Sequence, residues 1–288
     1  MDIPALLAGR NPVFSFEFFL PKLETETDAF LANVRSLKSL DPAFATLTYG
    51  AGGGPSRART IETAGRMHQE VGLPTVCHLT GITHTRSEMA HNLERIRAYG
   101  IDHIVALRGD RPKDWSGPLP GDFPYAGDLV EFIRAAGGFH MAVAGYPEGH
   151  PEAPSRDEDL RHLAAKVRAG GEWIITQLFF DNRHYFDFVA SVRRLGITVP
   201  VVPGSMPVTG FAQLKRFTTL CGASIPPQMS EDLERIHTDP EAVVRYGIEW
   251  AVRQCRGLLE QGAPGIHFYT LNRSRSTAEI LAELRVAA

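Results

Sequence analysis

Cysteine is scarce and long apolar runs are missing. Three cysteines, Cys77, Cys221 and Cys255, occur in 288 residues, and no two are spaced C-x-x-C. That excludes a disulfide framework and a thioredoxin-type motif, and it fits free thiols in a reducing compartment. No stretch approaches the roughly 20 apolar residues that span a bilayer. The first residues, MDIPALLAGRNP, are too short and too polar for a secretory signal. A cytoplasmic protein with no membrane partner is expected. Charge of one sign is missing too: 30 Lys and Arg face 33 Asp and Glu, a formal net charge of -3. The basic residues are spread along the chain, so no nucleic-acid partner is expected.

Several catalytic and ligand-binding signatures are also absent. There is no Gly-x-Ser-x-Gly elbow for acyl transfer. No His-x-x-x-His pair sits beside an acid on a helix, so no metal site is expected. His68, His162 and His237 fall in helical stretches and read as surface residues. The glycine run Gly50-Ala51-Gly52-Gly53-Gly54 lacks both the Gly-x-Gly-x-x-Gly spacing of a dinucleotide fold and the Gly-Lys-Ser/Thr of a P-loop. It reads equally well as a ligand loop or a plain flexible loop. Repeats and low-complexity tracts do not occur, and no composition shift marks a domain boundary.

What is present is an alternation of β-rich runs with amphipathic helical stretches. Strands are predicted at Val13–Phe18, Ala43–Thr48, Thr75–Leu79, His103–Leu107, His140–Ala144, Trp173–Leu178, Val199–Val202 and Ile266–Tyr269. Helical periodicity marks Glu26–Leu40, with Phe30, Leu31, Val34 and Leu37 on one face, and also Ser87–Tyr99 and Asp157–Ala169. One or two extra helices are predicted within Ser224–Gln261, and a long loop over Arg111–Gly127. Eight strands alternating with helices indicate a parallel α/β sheet. An α/β barrel uses about 250 residues as one domain. Residues 1–288 are therefore expected to form a single (β/α)8 TIM barrel, an open doubly wound sheet being the alternative.

Barrel active sites lie at the carboxyl ends of the strands. The predicted ends carry Glu17, Thr48, His78, Arg108 with Asp110, Tyr146 with His150, Gln177, and Tyr269 with Arg273. Glu17 is the most informative. In Phe14-Ser15-Phe16-Glu17-Phe18, alternate side chains share a face. The phenylalanines would pack under helices, and Ser15 and Glu17 would point into the barrel. An unpaired carboxylate there costs several kcal/mol, so desolvation is expected to raise its pKa and suit it to general acid work. A structural salt bridge is the plainer alternative. Gly109 would let a ligand approach the backbone at a strand end, unless Arg108 and Asp110 simply pair to hold a loop.

At this point specific segments become recognisable. Phe14–Lys22, FSFEFFLPK, resembles the FSFEFFPPK signature of methylenetetrahydrofolate reductases. Six further segments resemble that family in the same order: Thr48-Tyr49-Gly50-Ala51, His78-Leu79-Thr80, HIVALRGD ending at Asp110, Tyr146–Ala153, Ile175-Thr176-Gln177, and Phe268–Arg273. The resemblance runs from about Phe14 to Arg273. It implies a (β/α)8 barrel with one non-covalent FAD, reduced by NADH or NADPH. The reduced flavin then passes hydride to 5,10-methylenetetrahydrofolate in a ping-pong cycle that yields 5-methyltetrahydrofolate.

Carried over by position, the resemblance makes Glu17 the general acid and Asp110 a catalytic carboxylate near flavin and folate. It implies flavin contacts at Thr48, Tyr49, Ala51, His78, Arg108, Gly109, Asp110, Ala126, Tyr146, His150, Ala153, Asp159 and Lys166. Asp159 and Lys166 lie seven apart, on one face of the fifth barrel helix, and His150 and Lys166 suit the pyrophosphate. Folate contacts are implied at Gln177, Gln213, Phe217, Tyr269 and Arg273. Three positions depart from the family: Leu20 replaces a signature proline, and His162 and Ala165 stand where relatives often carry Asn and a basic residue. A looser grip on the adenosine end of FAD is expected. The sequence ends soon after the last barrel helix, so control by S-adenosylmethionine through a further domain is not expected. A homo-oligomer is left open, as are the choice of NADH or NADPH and the direction of reaction. The same barrel working oxidatively on 5-methyltetrahydrofolate is the enzyme alternative. A proline-dehydrogenase-like flavoenzyme or a cofactor-free scaffold fits the folate-type positions less well.

Overall fold

Hydrophobic alternation sets the sheet. The computed structural model describes residues 1–49, 55–111, 117, 121–272 and 274–286. Its strands are β1 (Val13–Phe18), β2 (Phe44–Leu47), β3 (Thr75–Thr80), β4 (His103–Leu107), β5 (His140–Gly145), β6 (Trp173–Thr176), β7 (Val201–Val202), β8 (Gly204–Ser205) and β9 (Gly265–Tyr269). They form one sheet in the order β7-β6-β5-β4-β3-β2-β1-β9-β8, and every pairing is parallel. β7 and β8 are one stretch of chain bent at Pro203. β7 pairs with β6, and β8 pairs with β9, so this stretch closes the ring into an eight-stranded barrel.

The seventh strand is shorter and more broken than the predicted Val199–Val202. Proline has no N–H to donate to a ladder. Pro200 and Pro203 therefore only accept, from Ile174 N at 2.8 Å and from His267 N at 2.9 Å. Gly204 then passes so close to its neighbours that a Cβ would lie 2.6 Å from the Tyr269 ring.

Among the described residues lie eleven α-helices, three of them at the predicted periodicities. They are α1 (Ile3–Leu7), α2 (Thr27–Lys38), α3 (Pro55–Arg66), α4 (Arg86–Ala98), α5 (Ala126–Ala136), α6 (Arg156–Ala169), α7 (Asn182–Arg194), α8 (Phe211–Cys221), α9 (Pro227–Ile236), α10 (Pro240–Glu260) and α11 (Ser274–Val286). Phe30, Leu31, Val34 and Leu37 of α2 are all buried, as their spacing predicts. Local chemistry fixes the starts. Thr85 caps α4 in a reciprocal box with Glu88, and Ser155 caps α6 through the Glu88-equivalent position, Glu158. The Ser224–Gln261 region holds α9 and α10. No helix among the described residues is long and apolar enough to cross a membrane.

The barrel lumen has two layers. Its lower layer is apolar: Val13, Phe44, Val76, Val105, Trp173 and Val202 pack together, joined by Ile3 and Leu7 of α1. The short α1 was not predicted, and it adds two buried aliphatic side chains to that layer. Above it lies a polar layer of Ser15, Glu17, Thr46, His78 and His267, each 8% exposed or less. Phe16, Phe18, Ala45, Cys77 and Phe268 point outward into the main core beneath the helices.

Candidate active site

β1 places Glu17 in the upper lumen, on the face opposite the buried Phe16 and Phe18. Thr46 Oγ1 donates to Glu17 Oε2 at 3.3 Å. His267 Nε2 and His78 Nε2 each lie 3.5 Å from the same oxygen. Burial raises the pKa of Glu17, as its sequence context predicts, but that is not the net result. The hydrogen bond from His267, the positive charge that His78 and His267 carry when protonated, and the Thr46 hydroxyl together hold it below the ordinary glutamate value. The expectation of a raised pKa is therefore corrected. The opposing groups come from β2, β3 and β9, which local sequence around Glu17 does not show. Burial lowers the pKa of His78, so it favours the neutral ring.

Glu17 sits at the edge of a cleft of about 1710 Å³ across the carboxyl end of the barrel. That exceeds the ~300–1,000 Å³ typical of drug-sized ligands. The cleft is lined by Glu17, Thr48, Tyr49, His78, Arg108, Gly109, Asp110, Ala126, Tyr146, His150, Ala153, Asp159 and Lys166, and by Gln177, Phe217 and Tyr269. The structure thus brings most of the sequence-derived site residues to one wall. Gln213 is not among the lining residues: Thr209 Oγ1 donates to its Oε1 at 3.1 Å, on α8 one turn before Phe217. Ala51, with the whole run 50–54, and Arg273 lie outside the described residues, as does most of the stretch between Arg111 and Gly121.

The wall has a cationic centre. Lys166 Nζ donates to Ala144 O at 2.6 Å. Burial pushes its pKa down to about 8, with Asp159 pulling the other way. Asp159 Oδ2 accepts from the His150 N–H at 3.2 Å. Burial, then the charges of Arg108 and Lys166, lower the pKa of His150. Arg108 does not pair with Asp110, the plain structural reading of that turn. It pairs with Glu152 at 2.7 Å. Gly109 has φ +87, and a Cβ there would lie 2.8 Å from Ile82 Cγ2, so only glycine fits. Two cations and a close backbone approach suit an extended, anionic ligand.

Aromatic groups frame the rest. Tyr146 stacks at a tilt on His150, ring centroids 4.5 Å apart, and burial raises its pKa to about 12. Tyr269 Oη donates to Thr176 O at 2.6 Å, and burial holds its pKa well above the ordinary value. At the outer end Tyr125 and His162 stack with centroids 5.5 Å apart and planes 17° from parallel. His162 is exposed, as expected, yet it is half of an aromatic pair on the cleft wall. Sequence reasoning missed Tyr125 and His267. The available signals were an aromatic just before α5 and a lone polar residue between Ile266 and Phe268.

The model of the methylenetetrahydrofolate reductase family matches residues 3–285. A methylenetetrahydrofolate reductase (NADH) 1 of Arabidopsis thaliana is 39% identical over 295 residues, covering 98% of this chain and 50% of that protein. A 5,10-methylenetetrahydrofolate reductase of Pectobacterium carotovorum subsp. carotovorum is 38% identical over 282 residues, covering 98% of this chain and 93% of that protein. The chain spans about half the length of the eukaryotic relatives it matches and nearly all of the bacterial one. Among solved structures, an uncharacterized protein from Clostridium thermocellum that binds two copies of 5-methyl-5,6,7,8-tetrahydrofolic acid aligns with a TM-score of 0.68 at 14% identity. It covers 98% of this chain and 96% of its own, and the likeness is one of barrel fold.

Proposed function

The chain belongs to the methylenetetrahydrofolate reductase family, and from that premise we propose that it reduces 5,10-methylenetetrahydrofolate to 5-methyltetrahydrofolate, with non-covalent FAD and with NADH or NADPH as electron source. The observation that carries this reading is a buried carboxylate, Glu17, lining a large cleft with a cationic wall. FAD, when bound, supplies a reversible two-electron carrier between nucleotide and folate.

The residues present fit that cofactor. Lys166 is a cation whose surroundings disfavour its charge, and an anion beside it would relieve that. Lys166, His150 and Arg108 would hold the pyrophosphate, and Gly109 would let the backbone come close. Thr48, Tyr49, His78, Ala126, Tyr146, Ala153 and Asp159 would complete the contacts, with Ala51 from the stretch outside the described residues. Asp110, exposed at the mouth, would face both ligands. Gln177, just past β6, Phe217 of α8 and Tyr269 of β9 would hold the pterin. Gln213 would reach it after turning from Thr209, and Arg273 would meet the carboxylate tail.

Glu17 would carry the proton. The closed imidazolidine ring of the folate is a poor hydride acceptor. Protonation of a ring nitrogen by Glu17 breaks a C–N bond, and the resulting iminium carbon takes the hydride. One hydride and one proton enter for each methyl group formed. The groups around Glu17 favour its carboxylate, so it must gain its proton as folate arrives, and the folate step should slow as pH rises.

The test is direct. Acid denaturation should release one FAD per chain, and anaerobic mixing with nucleotide, then methylenetetrahydrofolate, should bleach and restore the flavin absorbance. A colourless protein that FAD does not reconstitute contradicts the proposal.

A further inference from the structure

Behind Glu17 lies a second pair of buried polar groups. Ser15 and His267 are both 0% exposed. They sit opposite each other on neighbouring strands, and Ser15 Oγ lies 2.8 Å from His267 Nδ1. The other ring nitrogen, Nε2, lies 3.5 Å from Glu17 Oε2 and 3.5 Å from Thr46 Oγ1. Phe44 stacks on the ring at 6.3 Å, and Tyr269 meets it edge-on at 5.5 Å, so the imidazole cannot turn freely.

These contacts decide the tautomer. The Thr46 hydroxyl proton is spent on Glu17, which leaves Thr46 Oγ1 an acceptor towards His267. In the neutral ring Nε2 therefore faces two acceptors and must carry the one hydrogen. Nδ1 is then left with a lone pair, and the Ser15 hydroxyl donates to it. The titratable groups facing Glu17 are His78 from β3 and His267 and Tyr269 from β9. His78 Nε2 makes no hydrogen bond, and the Tyr269 hydroxyl is committed to Thr176 O. Among the described residues, His267 supplies the one ring N–H aimed at the carboxylate.

We propose that Ser15 and His267 are positioning residues for Glu17: Ser15 fixes the tautomer of His267, which aims its Nε2–H at the carboxylate and sets the pH range over which Glu17 takes up and gives away a proton. This deepens the reading of Glu17 as proton donor and rests on it for its catalytic meaning. Without the pair, desolvation acts on Glu17 with less opposition. Glu17 would then hold its proton to higher pH and donate it less readily.

An infrared titration of the buried carboxyl C=O stretch in the purified chain reads this without activity. The band is assigned by its loss in Glu17→Gln. His267→Phe keeps a ring against Phe44 but removes the donor, and its midpoint should move to higher pH. His267→Gln offers an amide N–H to the same oxygen and should lie nearer the wild type. Ser15→Ala should move the midpoint the same way by less. The pH profile of flavin reoxidation by methylenetetrahydrofolate should shift with the infrared midpoint, while flavin reduction by nucleotide stays put. An unmoved or lowered midpoint in His267→Phe overturns the proposal. If that variant does not fold, an unmoved midpoint in Ser15→Ala overturns it. The two failures are separable: if Glu17→Gln keeps full folate reduction, the acid reading fails, while the infrared midpoints still judge the pair.

Discussion

Replacing Lys166 by Met should cost most of the affinity for FAD and remove its dependence on alkaline pH. Lys166 donates to Ala144 O, and burial, only partly offset by the Asp159 carboxylate, lowers its pKa to about 8. A phosphate beside it would form charge-assisted hydrogen bonds, worth ~1.5–3 kcal/mol each. One such bond corresponds to a roughly 10- to 150-fold change in Kd. The sign with pH follows from linkage. A bound anion raises the lysine pKa above about 8. The extra affinity is therefore fully present below about pH 8 and is lost as pH rises through the higher, bound-state value. Met keeps the stem that packs in the wall, and Asp159 keeps its bond from the His150 N–H. Apoprotein titrated with FAD, followed by flavin fluorescence at several pH values, reads both effects. Binding by Lys166→Met within twofold of the wild type, with the same pH dependence, would refute the reasoning.

Tyr125→Ala should speed FAD dissociation by about 2- to 10-fold, the ~0.5–1.5 kcal/mol of an aromatic stack, measured by dilution into an FAD trap; an unchanged rate would separate the Tyr125–His162 pair from the cofactor. Gly204→Ala should lower the thermal midpoint by several degrees, because its Cβ meets the Tyr269 ring at 2.6 Å and overpacking costs ~1–3 kcal/mol; a midpoint within a degree of wild type would show that barrel closure tolerates the methyl. Arg273→Ala should raise the KM for folate far more than it slows flavin reduction, and equal losses in both half-reactions would assign Arg273 a general role at the barrel mouth.

The barrel was legible because its signals are local. Period-two alternation in Phe14–Phe18 put Glu17 inside, and the structure places it there. Seven strand ends named the cleft wall because parallel strands in a closed barrel all present that end to one side. The misses are cases where the deciding partner is remote in sequence. The state of Glu17 depends on Thr46, His78 and His267, brought in by three other strands. His267 escaped because only the last residue of its strand, Tyr269, was taken as facing the site. The same alternation, run back two residues, puts His267 on the lumen face. The stack of Tyr125 on His162 joins a loop to α6 across 36 intervening positions, and the helical stretch around His162 shows a surface residue without its partner. The split of β7 from β8 was written in Pro200 and Pro203, whose missing donors a hydrophobicity pattern does not count.

The central claim is that Glu17 gives the folate its proton, and Glu17→Gln tests it most directly. The amide keeps the size and most of the hydrogen bonding of the acid but cannot deliver that proton. Nucleotide-to-flavin hydride transfer needs no such proton, so anaerobic stopped-flow should find normal FAD content and near-normal flavin reduction. Reoxidation by methylenetetrahydrofolate should fall by about 10²–10⁴-fold, the range of general acid catalysis. The wild-type rate of that step should decline with rising pH, and the variant's residual rate should not. Reoxidation of Glu17→Gln at close to the wild-type rate would contradict the account at its central residue.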